Sequence, residues 1–107
     1  MRLALAMTFI GALAAAFPAR AQSVDPAVGE RLAKSECAAC HAIDADAKAR
    51  SPDPKAPRFA EVANMVSTTE LSLKVFLRSS HKNMPNIMLS PEEIDSLAAY
   101  ILGLKKK

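Results

Sequence analysis

Five consecutive residues, Cys37-Ala38-Ala39-Cys40-His41, have the types and spacing to do chemistry. Residues three apart on a helical turn share a face, so both thiols can point the same way with an imidazole following directly. C-x-x-C-H is the spacing that lets a chain form two thioethers with the vinyl groups of one porphyrin and offer the histidine nitrogen to its iron. Three other chemistries use parts of the pattern. A redox disulfide of the thioredoxin type needs a βαβ frame, and the chain shows no period-two strand signal around the motif. A structural zinc site takes four ligands, but the chain holds two cysteines and one further histidine, His81. A structural disulfide across a helical turn meets poor geometry. The residues point to covalently attached haem.

The rest of the chain must position that turn. Residues 1–21 read as a secretory leader: Arg2 as a short basic region, an apolar run from Leu3 to Phe17, and Ala19-Arg20-Ala21 as the cleavage signal. The apolar run is short for a membrane span, which takes about 20 residues. The expectation is export to the periplasm, cleavage before Gln22 and a single domain over residues 22–107, with no membrane span after cleavage. Arg2 and Arg20 belong to the leader, so this domain carries 12 basic against 11 acidic residues, and the chain's +3 becomes +1. Basic residues are scattered and aromatic platforms are few, which argues against nucleic acid. Outside the leader the aromatics are Phe59, Phe76 and Tyr100, and the apolar content is heavy in alanine. A domain this small with so little core volume calls for a cofactor to complete it.

The elements read as helices. Asp25-Pro26 fits an N-cap and first position for a helix through Val28, Gly29, Leu32 and Ala33 into Cys37. Gly29 costs a helix about 1 kcal/mol against alanine, and close approach of another helix is the reason expected for it. From Asp44 to Pro57 the chain is polar, and Pro52, Pro54 and Pro57 prevent a persistent helix. A short helical turn is expected from Phe59 to about Met65. Ser67-Thr68-Thr69-Glu70 matches a capping box for a helix ending near His81, with Leu71, Val75, Phe76 and Leu77 turned inward. Ser90-Pro91-Glu92-Glu93 opens a last helix whose Ile94, Leu97, Ala98, Ile101 and Leu102 form one apolar stripe, flanked by Tyr100.

If His41 takes one face of the iron, the other is open to Met65, Met84, Met88 or His81. Met84 precedes a proline, which holds it extended, in an irregular stretch between two helices. Met88 lies close by and serves as the fallback.

Taken in order, the capped first helix with Gly29 and Leu32, the C-x-x-C-H turn, Pro57, Met84-Pro85 and the closing Ala99-Tyr100-Ile101 resemble the small monohaem class I c-type cytochromes. The resemblance spans nearly all of residues 22–107. It implies an all-α fold of three to four helices around one haem c, with Cys37 and Cys40 as thioether attachments and His41 and Met84 as axial iron ligands. The Met84–Tyr100 separation matches the family's spacing, whereas Met88 is too close. It also implies a Pro57 carbonyl that receives a hydrogen bond from His41, Phe59 lining the ring, and Gly29 meeting Tyr100 where the first and last helices cross. Leu32 stands where the family often has an aromatic. The function implied is electron transfer between a dehydrogenase and an oxidase or other acceptor, by a monomer that docks transiently with redox proteins and is not an enzyme. The alternatives are a five-coordinate haem protein binding small gases or peroxide, and an obligate haem subunit of a redox complex.

Overall fold

The computed structural model describes residues 23–79 and 83–106; the expected leader and His81 lie outside them. The described residues form four α-helices and no strand: α1 Pro26–Leu32, α2 Phe59–Asn64, α3 Glu70–Leu77 and α4 Pro91–Gly103. No described helix is long and apolar enough to cross a membrane. The all-α fold expected for a small cytochrome c is the one observed.

Local chemistry sets the ends of α1 and α4. Asp25 caps α1, its carboxylate accepting from the Ala27 N–H at 2.9 Å, with Pro26 in the first helical position. Ser90 caps α4, its hydroxyl accepting from Glu93 N–H at 3.2 Å while the Glu93 carboxylate accepts from Ser90 N–H at 2.8 Å. Ile94, Leu97, Ala98 and Ile101 of α4 are buried, joined by Ser96, whose hydroxyl accepts from the Asp25 N–H.

α1 and α4 cross at Gly29. A Cβ built there would lie 2.1 Å from the Ser96 carbonyl oxygen and 2.8 Å from Tyr100 Cβ. Only glycine lets the two backbones approach this closely. Glycine's helix penalty is therefore the cost of the crossing, and the expected contact with Tyr100 is present.

Two local readings are corrected. The α3 cap is Thr69, not Ser67: Thr69 exchanges hydrogen bonds with Ser72. Thr68 is buried and spends its hydroxyl on the Val62 carbonyl at 2.6 Å, which holds it outside the helix. The inward face of α3 is also different. Leu73 is buried and Leu77 partly so, while Leu71 (72% exposed), Val75 and Phe76 are exposed. Lys74 fixes this orientation by pairing with Asp95 on α4 at 3.0 Å. Leu71–Val75 and Leu73–Leu77 have the same i,i+4 spacing, and contact with α4 selects the second pair.

Candidate haem site

The helix that enters the Cys37–His41 turn does not end as an α-helix. Residues Ala33–Cys37 form a π-turn, in which the Ala38 N–H reaches the Ala33 carbonyl at 3.0 Å, five residues back. Such insertions are rare and concentrate at functional sites. Nothing in Ala33-Lys34-Ser35-Glu36 announces it. Ala33 is fully buried and Cys37 is 6% exposed, both in the core with Leu97, Ala98 and Ile101 of α4. Past the π-turn the chain tightens: Cys40 and His41 N–H groups both bond to the Cys37 carbonyl, at 3.1 and 2.9 Å. This leaves Cys40 exposed and His41 half-buried.

The loop after His41 folds back and fastens both sides of it. The Asp53 N–H bonds to the Cys40 carbonyl at 3.1 Å, and the Phe59 N–H to the Ala42 carbonyl at 2.9 Å. The Ser51 hydroxyl accepts from Ala42 N–H at 3.0 Å. The His41 ring itself is held by its Nδ1, 2.7 Å from the Pro57 carbonyl oxygen. A carbonyl only accepts, so Nδ1 carries the proton and Nε2 keeps its lone pair, the arrangement that orients an imidazole for a metal. Phe59 is buried and backs the ring, with centroids 5.3 Å apart. Arg58 fastens the outer part of the loop, donating to the Ala47 carbonyl at 2.7 Å and pairing with Glu61. Tyr100 closes the clasp from α4, its hydroxyl donating to the Ile43 carbonyl at 2.9 Å. Ser51, Asp53 and Arg58 carried no signal in the sequence beyond lying in a polar loop.

Two cavities open beside this turn. One, of about 170 Å³, is lined by Cys40 and His41 on one side and by Phe76, Asn83, Met84 and Pro85 on another. The second, of about 260 Å³, has Cys37, Ile94 and Leu97 at its back and Leu77, Arg78 and the 84–89 segment around it. Met84 and Pro85 line both. Asn83 takes φ 72°, a left-handed conformation that asparagine tolerates, and so turns the chain immediately before Met84. Met88 lines the second cavity but is 95% exposed, and Met65 lines neither. Phe59 reaches the site through the His41 ring and lines neither cavity.

Both cysteines are free thiols. Burial, with the Glu36 carboxylate adding to it, pushes the Cys37 thiol up to about 11. A site that resists the thiolate is a poor place for a thiolate metal ligand and a good one for an uncharged thioether. Among the described residues no three His, Cys, Asp or Glu side chains converge as a metal cage. Cys40 and His41 on one cavity, Cys37 on the other and Met84 lining both bring two sulfurs, an imidazole and a thioether side chain together, a set that fits a haem.

Residues 24–101 match the family described as cytochrome c oxidase, cbb3-type, subunit III. No curated protein and no solved structure matches the chain. With the match covering most of its length and the fold all-α, the chain belongs to that family and is a small c-type cytochrome domain.

Proposed function

We propose that this domain holds one haem c through thioethers at Cys37 and Cys40, with His41 Nε2 and the Met84 sulfur as axial ligands, and carries single electrons in the periplasm after the leader is removed. The observation that carries the reading is the His41 Nδ1–Pro57 contact at 2.7 Å, made by a histidine that shares its cavity with Cys40 and Met84. When bound, haem supplies a one-electron iron couple, and a His/Met pair raises its potential. The chain's own residues do the rest. Pro57 fixes the imidazole tautomer and orientation. Cys37, Leu77, Ile94, Leu97 and Met84 line the second cavity and would give a bound haem an apolar wall, which favours the less charged form of its iron. If His41 and Met84 both hold the iron, no position on it is left for a substrate, and the domain would act as a carrier rather than an enzyme.

The test is spectroscopic. The ferric protein should show the weak far-red band of sulfur–iron(III) bonding, lost in Met84→Ala and kept in Met88→Ala. Loss in Met88→Ala alone would move the ligand. Ready binding of carbon monoxide by the reduced wild type would replace the carrier with a gas-binding protein.

The family's description favours a second reading, in which the domain works as a haem subunit of a redox complex. Native extracts distinguish the two: the haem protein elutes alone if it is a free carrier, and with other subunits if it is not.

A further inference from the structure

Met84 lies on the chain between α3 and α4, so these two helices are the stems of the loop that carries it. They also wall the cavity it lines: Leu77 closes α3, and Ile94 and Leu97 belong to the first two turns of α4. The spacing of α3 and α4 therefore sets both the span of the loop and the width of that space. Leu73 and Leu97 share the core and hold the helices face to face, but an apolar contact is not directional. One polar contact is. Among the described residues, the pairs Lys34–Glu30, Arg58–Glu61 and Lys74–Glu70 join residues three or four apart, and only Lys74–Asp95 crosses from one helix to another, at 3.0 Å. Both of its side chains are partly shielded, 23% and 32% exposed. Lys74 stands one turn before Leu77 and Asp95 next to Ile94, so the pair spans the helices at the level of the cavity walls. Glu70 takes another of the ammonium's donors from within α3 and steadies Lys74 without tying it to α4.

We propose that Lys74 and Asp95 are positioning residues for the axial methionine: their ion pair clamps the stems of the Met84 loop and sets how firmly the Met84 sulfur holds the iron. The inference rests on the reading of Met84 as a ligand. A loop settles on its target at lower entropic cost when its ends are already held. With the pair broken, Leu73 keeps α3 in the core but the helix is free to tilt against α4. The segment carrying Met84 then gains freedom, and the share of molecules with the sulfur seated falls. An outside ligand competing for the same position binds more tightly by the factor that seating loses.

The test is a competition in the haem-loaded ferric protein, with imidazole as the probe and loss of the far-red band as the readout. Two isosteric variants each take one carboxylate from Lys74. Asp95→Asn breaks the tie between the helices and should bind imidazole about threefold more tightly than wild type. Glu70→Gln acts within α3 alone and should bind imidazole as wild type does, even though it removes an anion from the positive end of that helix and so costs stability. Lys74→Gln should match Asp95→Asn, and Lys74→Gln/Asp95→Asn should gain nothing further, because both substitutions break one contact. Equal imidazole affinity in Asp95→Asn and Glu70→Gln overturns the proposal. So does an Asp95→Asn protein that unfolds earlier in guanidinium yet binds imidazole as wild type does, which is the behaviour of a purely structural pair. A ferric wild type without the far-red band is a separate failure: it removes Met84 as the ligand before any variant is compared.

Discussion

Gly29→Ala tests whether the first and last helices are locked by backbone contact or merely adjacent. Two effects of opposite sign compete. Alanine is favoured over glycine within a helix by about 1 kcal/mol. Against this, the new methyl would sit 2.1 Å from the Ser96 carbonyl oxygen and 2.6 Å from its carbon, both backbone atoms of α4. Relieving the first contact to 3.0 Å moves one helix by about 0.9 Å against the other. Because Tyr100 Cβ is also within 2.8 Å, the shift disturbs the residue whose hydroxyl holds Ile43. Overpacking against an unyielding neighbour belongs at the upper end of the usual range, about 3 kcal/mol. The net expectation is a loss of about 2 kcal/mol, or a Tm lower by about 8–16 °C in a domain of this size. Guanidinium and thermal unfolding of the haem-loaded protein, followed by far-UV circular dichroism and haem absorbance, would measure it. Gly103→Ala is the internal control, since a Cβ there meets nothing within 4 Å; it should be neutral or slightly stabilising. A Gly29→Ala protein as stable as Gly103→Ala would refute the argument, because helix propensity alone would then account for both.

Other substitutions follow from single contacts. Tyr100→Phe removes the donor to Ile43 and should cost about 1 kcal/mol near neutral pH, measured by denaturant unfolding. Burial, followed by the Glu30 and Asp44 carboxylates, raises the Tyr100 hydroxyl above its ordinary value of 10.0. The fold therefore prefers the neutral phenol, and its contribution is complete below pH 10 and lost as pH rises through the raised value. The wild type should lose stability along this alkaline limb, and Tyr100→Phe should lose less. Thr68→Val removes the hydroxyl donor to the Val62 carbonyl, which keeps the Met65 N–H at 3.2 Å, and should lower stability by about 1 kcal/mol without changing the haem spectrum. Without its haem the chain should be largely unfolded, because among the described residues the core holds Ala33, Ala63 and Ala98 and a single buried aromatic, Phe59. A cooperative melt from Cys37→Ala/Cys40→Ala would contradict that.

How much of this was readable depended on how local each cause is. α4 was fully legible because Ser90, Pro91 and Glu93 act within one turn and the apolar stripe behind them is long enough to define a face. On α3 the stripe is only two turns long, so Leu71–Val75 and Leu73–Leu77 were equivalent until packing with α4 and the Lys74–Asp95 pair chose between them. The cap shifted from Ser67 to Thr69 for a similar reason: Thr68 turns inward to the Val62 carbonyl six residues back, a contact that lies outside any tetrapeptide pattern. The C-x-x-C-H turn declared its chemistry outright. Its supports did not, since Asp53, Ser51 and Pro57 reach it across 9 to 16 residues of irregular chain. Pro57 was expected only through family resemblance. The π-turn at Ala33–Cys37 left no trace, because small and polar residues accept a widened turn as readily as a regular one.

The central claim is a covalent one and has a direct test: the intact mass of the exported protein under denaturing conditions. The account predicts a coloured species whose mass is the polypeptide plus one haem, retained after unfolding and acid–solvent extraction. A colourless polypeptide, or a haem that extracts and leaves the bare chain mass, would contradict it.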